Sequence, residues 1–158
     1  LINTHCHIDH ILGCEFVKNK YNPVYYAPEL DIPLLQNAKM QASFVGMDFS
    51  ISILPDEYLT ENKNLYLGKS ELSFLFTPGH TPGEFCIYIN DIKSCISGDV
   101  LFYDSIGRTD LWGGNYDTLI KSINEKLLIL PDDTKIYPGH GESSTISREK
   151  NLNPFLNN

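Results

Sequence analysis

Apolar residues between positions 116 and 130 fall at Tyr116, Leu119, Ile120, Ile123, Leu127 and Leu130. That i, i+3, i+4, i+7 rhythm predicts an amphipathic helix, ended by Pro131-Asp132-Asp133. Residues 11–21 read as an earlier helix, closed by Asn22-Pro23 because proline disfavours helical geometry in the residue before it. Residues 31–45 read as another, with Asp31 as N-cap, Pro33 in the first turn and Gly46 past the end. The middle of the chain is strand-rich. Short β-prone runs at 65–67, 71–76, 85–89 and 93–97 are separated by Gly68-Lys69-Ser70 and Asn90-Asp91 turn signals. Residues 1–4 read as the end of a strand, 5–10 as a polar loop, 24–27 and 135–137 as short strands, and 145–151 as a closing helix. Strands interleaved with helices predict an α/β (α+β) sandwich. With no repeat or linker in sight, the expectation is a single domain over residues 1–158.

The totals narrow the class. A length of 158 residues with 42% hydrophobic and 20% charged residues suits one globular domain with its own core. The net charge of −8, with no lysine or arginine cluster, speaks against nucleic acid or an anionic membrane as partner. No apolar run approaches the roughly 20 residues that span a bilayer. Cys6, Cys14, Cys86 and Cys95 form no CxxC pair, so reduced thiols and a cytoplasmic location are expected. The sequence opens at Leu1 rather than Met, inside a predicted strand, and a preceding segment is expected on that ground.

The histidines change the picture. Of five, three lie in His5-Cys6-His7-Ile8-Asp9-His10; the others are His80, in Thr77-Pro78-Gly79-His80-Thr81-Pro82-Gly83, and His140, in Pro138-Gly139-His140-Gly141. The latter two each follow a β-prone run and sit in a Pro/Gly turn, and Ser97-Gly98-Asp99 places a carboxylate after another strand. Imidazole nitrogens and carboxylate oxygens are the usual ligands of zinc-like ions, and strand-end loops can aim them into one cleft. A lone loop histidine would be better read as a scattered polar residue. A chain whose entire histidine complement sits in such loops would not.

In this order and spacing, the H-x-H-x-D-H run, the lone His80, Gly98-Asp99 and Pro138-Gly139-His140-Gly141 resemble the metallo-β-lactamase superfamily. The likeness is to its glyoxalase II-like (hydroxyacylglutathione hydrolase-like) branch, in a short form without the C-terminal helical domain, and runs from residue 1 to about residue 155. The resemblance implies an αββα sandwich with metals at one edge of two packed sheets. It implies that His5, His7 and His80 hold a first metal, that Asp9, His10 and His140 hold a second, and that Asp99 bridges both. No cysteine stands at a matching ligand position, which points away from β-lactamases of the common zinc class. The family's strands before the first motif are absent, so the resemblance predicts a longer native protein.

Two divalent ions, with zinc expected and iron or manganese as alternatives, can share a water and lower its pKa toward roughly 7. The resulting bridging hydroxide would attack a carbonyl while a metal stabilises the oxyanion, with Asp9 and Asp99 as the catalytic carboxylates that fix the water. A thiolate leaving group is weakly basic and needs little acid help, so a small thioester such as an S-acylglutathione is the expected substrate. Arg108, in Gly107-Arg108-Thr109-Asp110, stands where glyoxalase II enzymes bind glutathione, which makes Arg108 and Asp110 candidate substrate residues. An ion pair of Arg108 with Asp110 or Asp104 is the competing reading. The Gly-Arg-Thr-Asp tetrapeptide also resembles persulfide dioxygenases, so a mononuclear iron oxidoreductase of that type is the alternative function. Cys6 is expected to pack away from its ligand neighbours. Trp112 and Tyr103 flank the substrate loop, Asp56, Glu57 and Glu61 read as a solvated face, and residues 153–155 are expected to dock the C-terminus.

Overall fold

Leu119, Ile123 and Leu127, three positions of the predicted 116–130 stripe, are fully buried and form one core with Cys86, Cys95 and Ile136. This core belongs to the second of two compact units, Leu1–Leu59 and Thr60–Asn158, in a computed structural model that describes residues 1–157. The last position of the predicted 1–158 domain lies outside the described residues.

In the second unit the described residues form a six-stranded sheet. Its strands are β3 (Leu65–Leu67), β4 (Ser70–Phe76), β5 (Phe85–Ile89), β6 (Ser94–Gly98), β9 (Lys135–Pro138) and β10 (Ser144–Thr145), in the order β10-β9-β6-β5-β4-β3. Every residue of β5 is buried, as befits a central strand covered on both faces. The β6–β9 pair is parallel and the others antiparallel. A parallel neighbour requires a crossover, and here it contains the hairpin β7 (Leu101–Phe102) and β8 (Ser105–Ile106), then the helix α5 (Tyr116–Ser122). Asn115 caps α5, its side-chain oxygen accepting from Thr118 N–H at 2.9 Å. The predicted helix does not continue as α-helix: a π-helical turn, Ile123–Leu127, follows and keeps Ile123 and Leu127 both buried.

The helix α6 (Ile146–Leu152) is capped by Thr145 and ends at Asn153, which docks the C-terminal segment as expected. The Asn153 amide donates to Ser105 O (3.0 Å) and to the buried Glu149 (2.9 Å). Glu61 is no idle solvated carboxylate: it accepts from Lys126 Nζ at 2.6 Å and from Phe76 N–H at 3.2 Å.

The first unit contains α1 (Ile8–Ile11), α2 (Cys14–Tyr21), β1 (Tyr26–Ala27), α3 (Ile32–Gln36), α4 (Ala38–Phe44) and β2 (Glu57–Tyr58), with β1 and β2 paired in parallel. Residues 1–4 make only an isolated parallel bridge, Ile2 to Tyr26, instead of a regular strand. The predicted 11–21 helix is split: Gly13 precedes α2, and α1 forms inside the expected polar loop. Asn22 ends α2 in a left-handed conformation, as its Asn-Pro signal suggested. The predicted 31–45 helix breaks at Asn37 into α3 and α4. Asp31 occupies the N-cap position of α3 but makes no capping bond, because its carboxylate accepts Cys6 N–H at 3.1 Å. Asp56 is likewise engaged, accepting from Lys18 Nζ at 2.6 Å and Tyr25 N–H at 2.7 Å. No helix among the described residues is long and apolar enough to cross a membrane.

Candidate metal centre

The candidate ligands fall into two groups, one in each unit. In the first unit His5, Cys6 and His7 precede α1, with His7 extended at its N-cap (φ −68°, ψ 155°). Side chains alternate across an extended segment. Accordingly Cys6 joins the buried cluster of Ile11, Cys14, Tyr25 and Ala27, while the imidazoles of His5 and His7 meet edge to face with centroids 5.0 Å apart. Asp9 and His10 follow in the first turn of α1, which brings His10 to 4.0 Å from the His5 ring, centroid to centroid, and puts its Nε2 3.6 Å from Asp9 Oδ2. Burial pushes the Cys6 thiol up, away from the thiolate a metal ligand needs to be, and leaves Cys6 a packing residue.

The backbone of this loop is held from behind. Asp31, fully buried, accepts Cys6 N–H, and one amide clamps both sides of His7. Gln41 Nε2 donates to Cys6 O at 3.1 Å, and Gln41 Oε1 accepts Ile8 N–H at 3.1 Å. Asn3 adds a bond from its Nδ2 to His10 O at 2.6 Å. None of these braces carries a local sequence signal. Asp31 was legible only as a helix cap, and Gln41 lies 33 residues from its partner Ile8.

In the second unit the candidate ligands stand at strand ends. His80 lies in the turn between β4 and β5, Asp99 directly after β6, and His140 directly beyond β9. Parallel pairing of β6 with β9 makes the last two neighbours, and Gly139 N–H donates to Gly98 O at 2.8 Å. Asp99 Oδ2 is 3.6 Å from His80 Nε2 and 3.5 Å from His140 Nε2. His80 Nδ1 is 2.7 Å from the carbonyl oxygen of Arg108. A carbonyl can only accept, so Nδ1 is the donor, and Nε2 is the ring nitrogen that faces Asp99. The turn bearing His80 is seated on α5: Asn115 N–H donates to Gly79 O at 2.8 Å and Ser122 Oγ to Pro78 O at 2.7 Å. Asp99 N–H donates to the buried carboxylate of Glu84 at 2.7 Å.

These donors suit divalent cations. Nitrogen and oxygen ligands bonded at about 2.0–2.1 Å around a tetrahedral zinc stand about 3.4 Å from one another. Separations of 3.5–3.6 Å recur in the Asp9–His10, His80–Asp99 and His140–Asp99 pairs, and they are too long for good hydrogen bonds. Arg108 is turned to a different partner. Its Nε and one terminal nitrogen bond Asp110 at 2.7 and 2.8 Å, a pair that lowers the Asp110 carboxyl to about 2. Asp104 pairs with Arg148, whose guanidinium also lies over Tyr103 at 3.6 Å from the ring centroid. Trp112 is exposed.

Comparison with known proteins identifies the family of the chain. The family model described as the metallo-beta-lactamase superfamily matches residues 1–140. The probable metallo-hydrolase YqgX of Bacillus subtilis is 40% identical over 158 residues, a match covering 99% of this chain and 75% of that protein. Hydroxyacylglutathione hydrolase GloC of Haemophilus influenzae is also 40% identical, over 159 residues, with the same coverage of 99% and 75%. Among solved structures, the BLEG-1 B3 metallo-beta-lactamase aligns with a TM-score of 0.92 at 36% identity, covering 99% of this chain and 76% of that one. TTHA1623, in a di-iron-bound form, aligns with a TM-score of 0.91 at 34% identity, covering 98% and 76%. By sequence and by fold, this chain belongs to the metallo-beta-lactamase superfamily.

Proposed function

We propose that this chain is a metal-dependent hydrolase of small thioesters, with His5, His7, Asp9, His10, His80, Asp99 and His140 holding two divalent cations. The observation that carries the reading is the position of Asp99, whose Oδ2 stands at almost equal distance from Nε2 of His80 and of His140. A carboxylate flanked by two imidazoles in that way suits a ligand shared by two cations. The assignment of His5, His7 and His80 to one cation, and of Asp9, His10 and His140 to the other, follows the superfamily pattern.

Two divalent cations held by these groups would supply acidified water and draw charge from a carbonyl oxygen. The chain's own residues do the rest. The hydrogen bond from His80 Nδ1 to Arg108 O fixes the ring and its tautomer. Asp99 is held through its backbone and Asp9 through the first turn of α1, so both carboxylates are oriented before substrate arrives. A thioester suits a site without a separate general acid, since a thiolate leaves without being protonated first. An acyl-glutathione is the substrate class to test first, because GloC bears the name of a hydroxyacylglutathione hydrolase. Arg108 is the residue proposed to meet a carboxylate of such a substrate.

The test is metal content by mass spectrometry on protein purified without chelator, followed by assays with an S-hydroxyacylglutathione and with a chromogenic cephalosporin. Two ions per chain and thioester cleavage that disappears in Asp99→Ala, with the fold retained, are expected. Cephalosporin cleaved faster than thioester would reassign the chain to β-lactam hydrolysis. One iron per chain, with oxygen uptake on glutathione persulfide, would reassign it to sulfur oxidation.

A further inference from the structure

Glu84 is a fully buried carboxylate outside the proposed ligand set, four residues after His80 and just ahead of β5. Its Oε1 accepts the backbone N–H of Asp99 at 2.7 Å, a short N–H···O bond. Its own carbonyl accepts Thr77 N–H at 2.9 Å, which ties it to the segment leading into the His80 turn. Withdrawing a carboxylate from water is costly, and an apolar side chain would fill the same volume without that cost. What a side chain of this length supplies here, and an apolar one would not, is an acceptor aimed at the peptide of Asp99.

That peptide needs holding. Asp99 follows Gly98, whose φ of +50° turns the chain out of β6, so the sheet ladder does not continue through Asp99. Gly98 is fixed on its carbonyl side by Gly139 N–H, and Asp99 on its amide side by Glu84. Between them the two bonds set the direction in which the Asp99 carboxylate projects toward His80 and His140.

We infer that Glu84 is a positioning residue for Asp99, acting through the reach of its acceptor oxygen to hold the carboxylate in the orientation that two cations share. The inference rests on the proposed two-cation reading.

Two substitutions separate reach from charge. Glu84→Gln keeps an acceptor oxygen at the same distance along the side chain and loses the charge. Glu84→Asp keeps the charge and is one methylene too short. Metal-free wild type and variants are titrated with Co(II), read by d–d absorption, and with Zn(II) against a chromophoric chelator. Thermal melting of the metal-free forms is followed in parallel. Positioning predicts that Glu84→Gln stays within about threefold of wild type with the same cobalt spectrum. It predicts that Glu84→Asp weakens binding by about 10–100-fold, the usual scale for a supporting hydrogen bond, and alters the spectrum while its metal-free melting stays close to wild type. Wild-type affinity in Glu84→Asp would overturn the inference, and so would an equal loss in both variants or a loss of affinity that only tracks a loss of fold. Failure of the wild type itself to bind Co(II) or Zn(II) would overturn the two-cation reading instead, so the two failures are distinguishable.

Discussion

His80 and Arg108 meet through a ring nitrogen and a backbone carbonyl, not through their charges: His80 Nδ1–H donates to Arg108 O at 2.7 Å. The loop carrying Arg108 therefore has two separable roles. Its backbone carbonyl orients the His80 ring, and its guanidinium, held by Asp110, is presented to solvent. A side-chain substitution at Arg108 leaves the first role in place.

Arg108→Ala is accordingly expected to leave metal content and the melting midpoint essentially unchanged, because the Arg108–Asp110 pair is exposed and screened by solvent. With an acyl-glutathione its KM should rise about tenfold or more while kcat stays within a few-fold. Steady-state kinetics and a thermal melt decide the matter. An unchanged KM would leave Arg108 as no more than the partner of Asp110.

Gly107 is where the same loop passes against Asp99 and His80. A methyl group built there would lie 1.8 Å from Asp99 O and 3.2 Å from His80 Cβ, so the backbone must move to admit it. Gly107→Ala should cost about 1–3 kcal/mol, the ordinary scale of overpacking, and should weaken metal binding because the atoms displaced belong to two proposed ligands. A melt with and without zinc reads both effects, and an unshifted midpoint in either condition would refute the close approach.

Asp104 and Arg148 give a pH signature. The paired guanidinium holds the Asp104 carboxyl below the usual carboxylate range. A carboxylate depressed on folding contributes stability that is fully present above its unfolded value of about 3.9 and is lost as pH falls through the folded value. Asp104→Asn should therefore lower the melting midpoint at pH 5–7, and its deficit should shrink as pH drops below about 4. A deficit that stays constant down to the lowest measurable pH would show that the pair's charge is not what matters.

The second unit's strands were readable because their residues obey local rules. The runs 65–67 and 85–89 occur as β3 and β5 with the expected limits, β4 and β9 differ by a residue at one end, and β6 is shifted by one residue. What escaped was set by long-range contact. The hairpin β7–β8 has only two residues in each strand, too few for an alternating pattern, and Asp104 N–H is held by Glu149, 45 residues later. The helix expected over 116–130 widens into a π turn to keep two apolar positions in the core. The helix over 31–45 was read as continuous because a break at Asn37 carries no glycine or proline to announce it. The candidate ligands were legible because histidine is scarce and falls in turns at strand ends. Gln41 and Glu84 look like any other polar residues and Asp31 reads only as a helix cap, since the partners of all three lie 15 to 35 positions away.

The four thiols are distributed evenly, with Cys6 and Cys14 inside the first unit's core and Cys86 and Cys95 inside the second's, and all four are buried. An alkylating reagent can reach them only when the surrounding structure opens. The chain thus carries its own pair of clocks. The labelling rate at each cysteine, read peptide by peptide, times the opening of one unit independently of the other, without a foreign probe anywhere in the molecule.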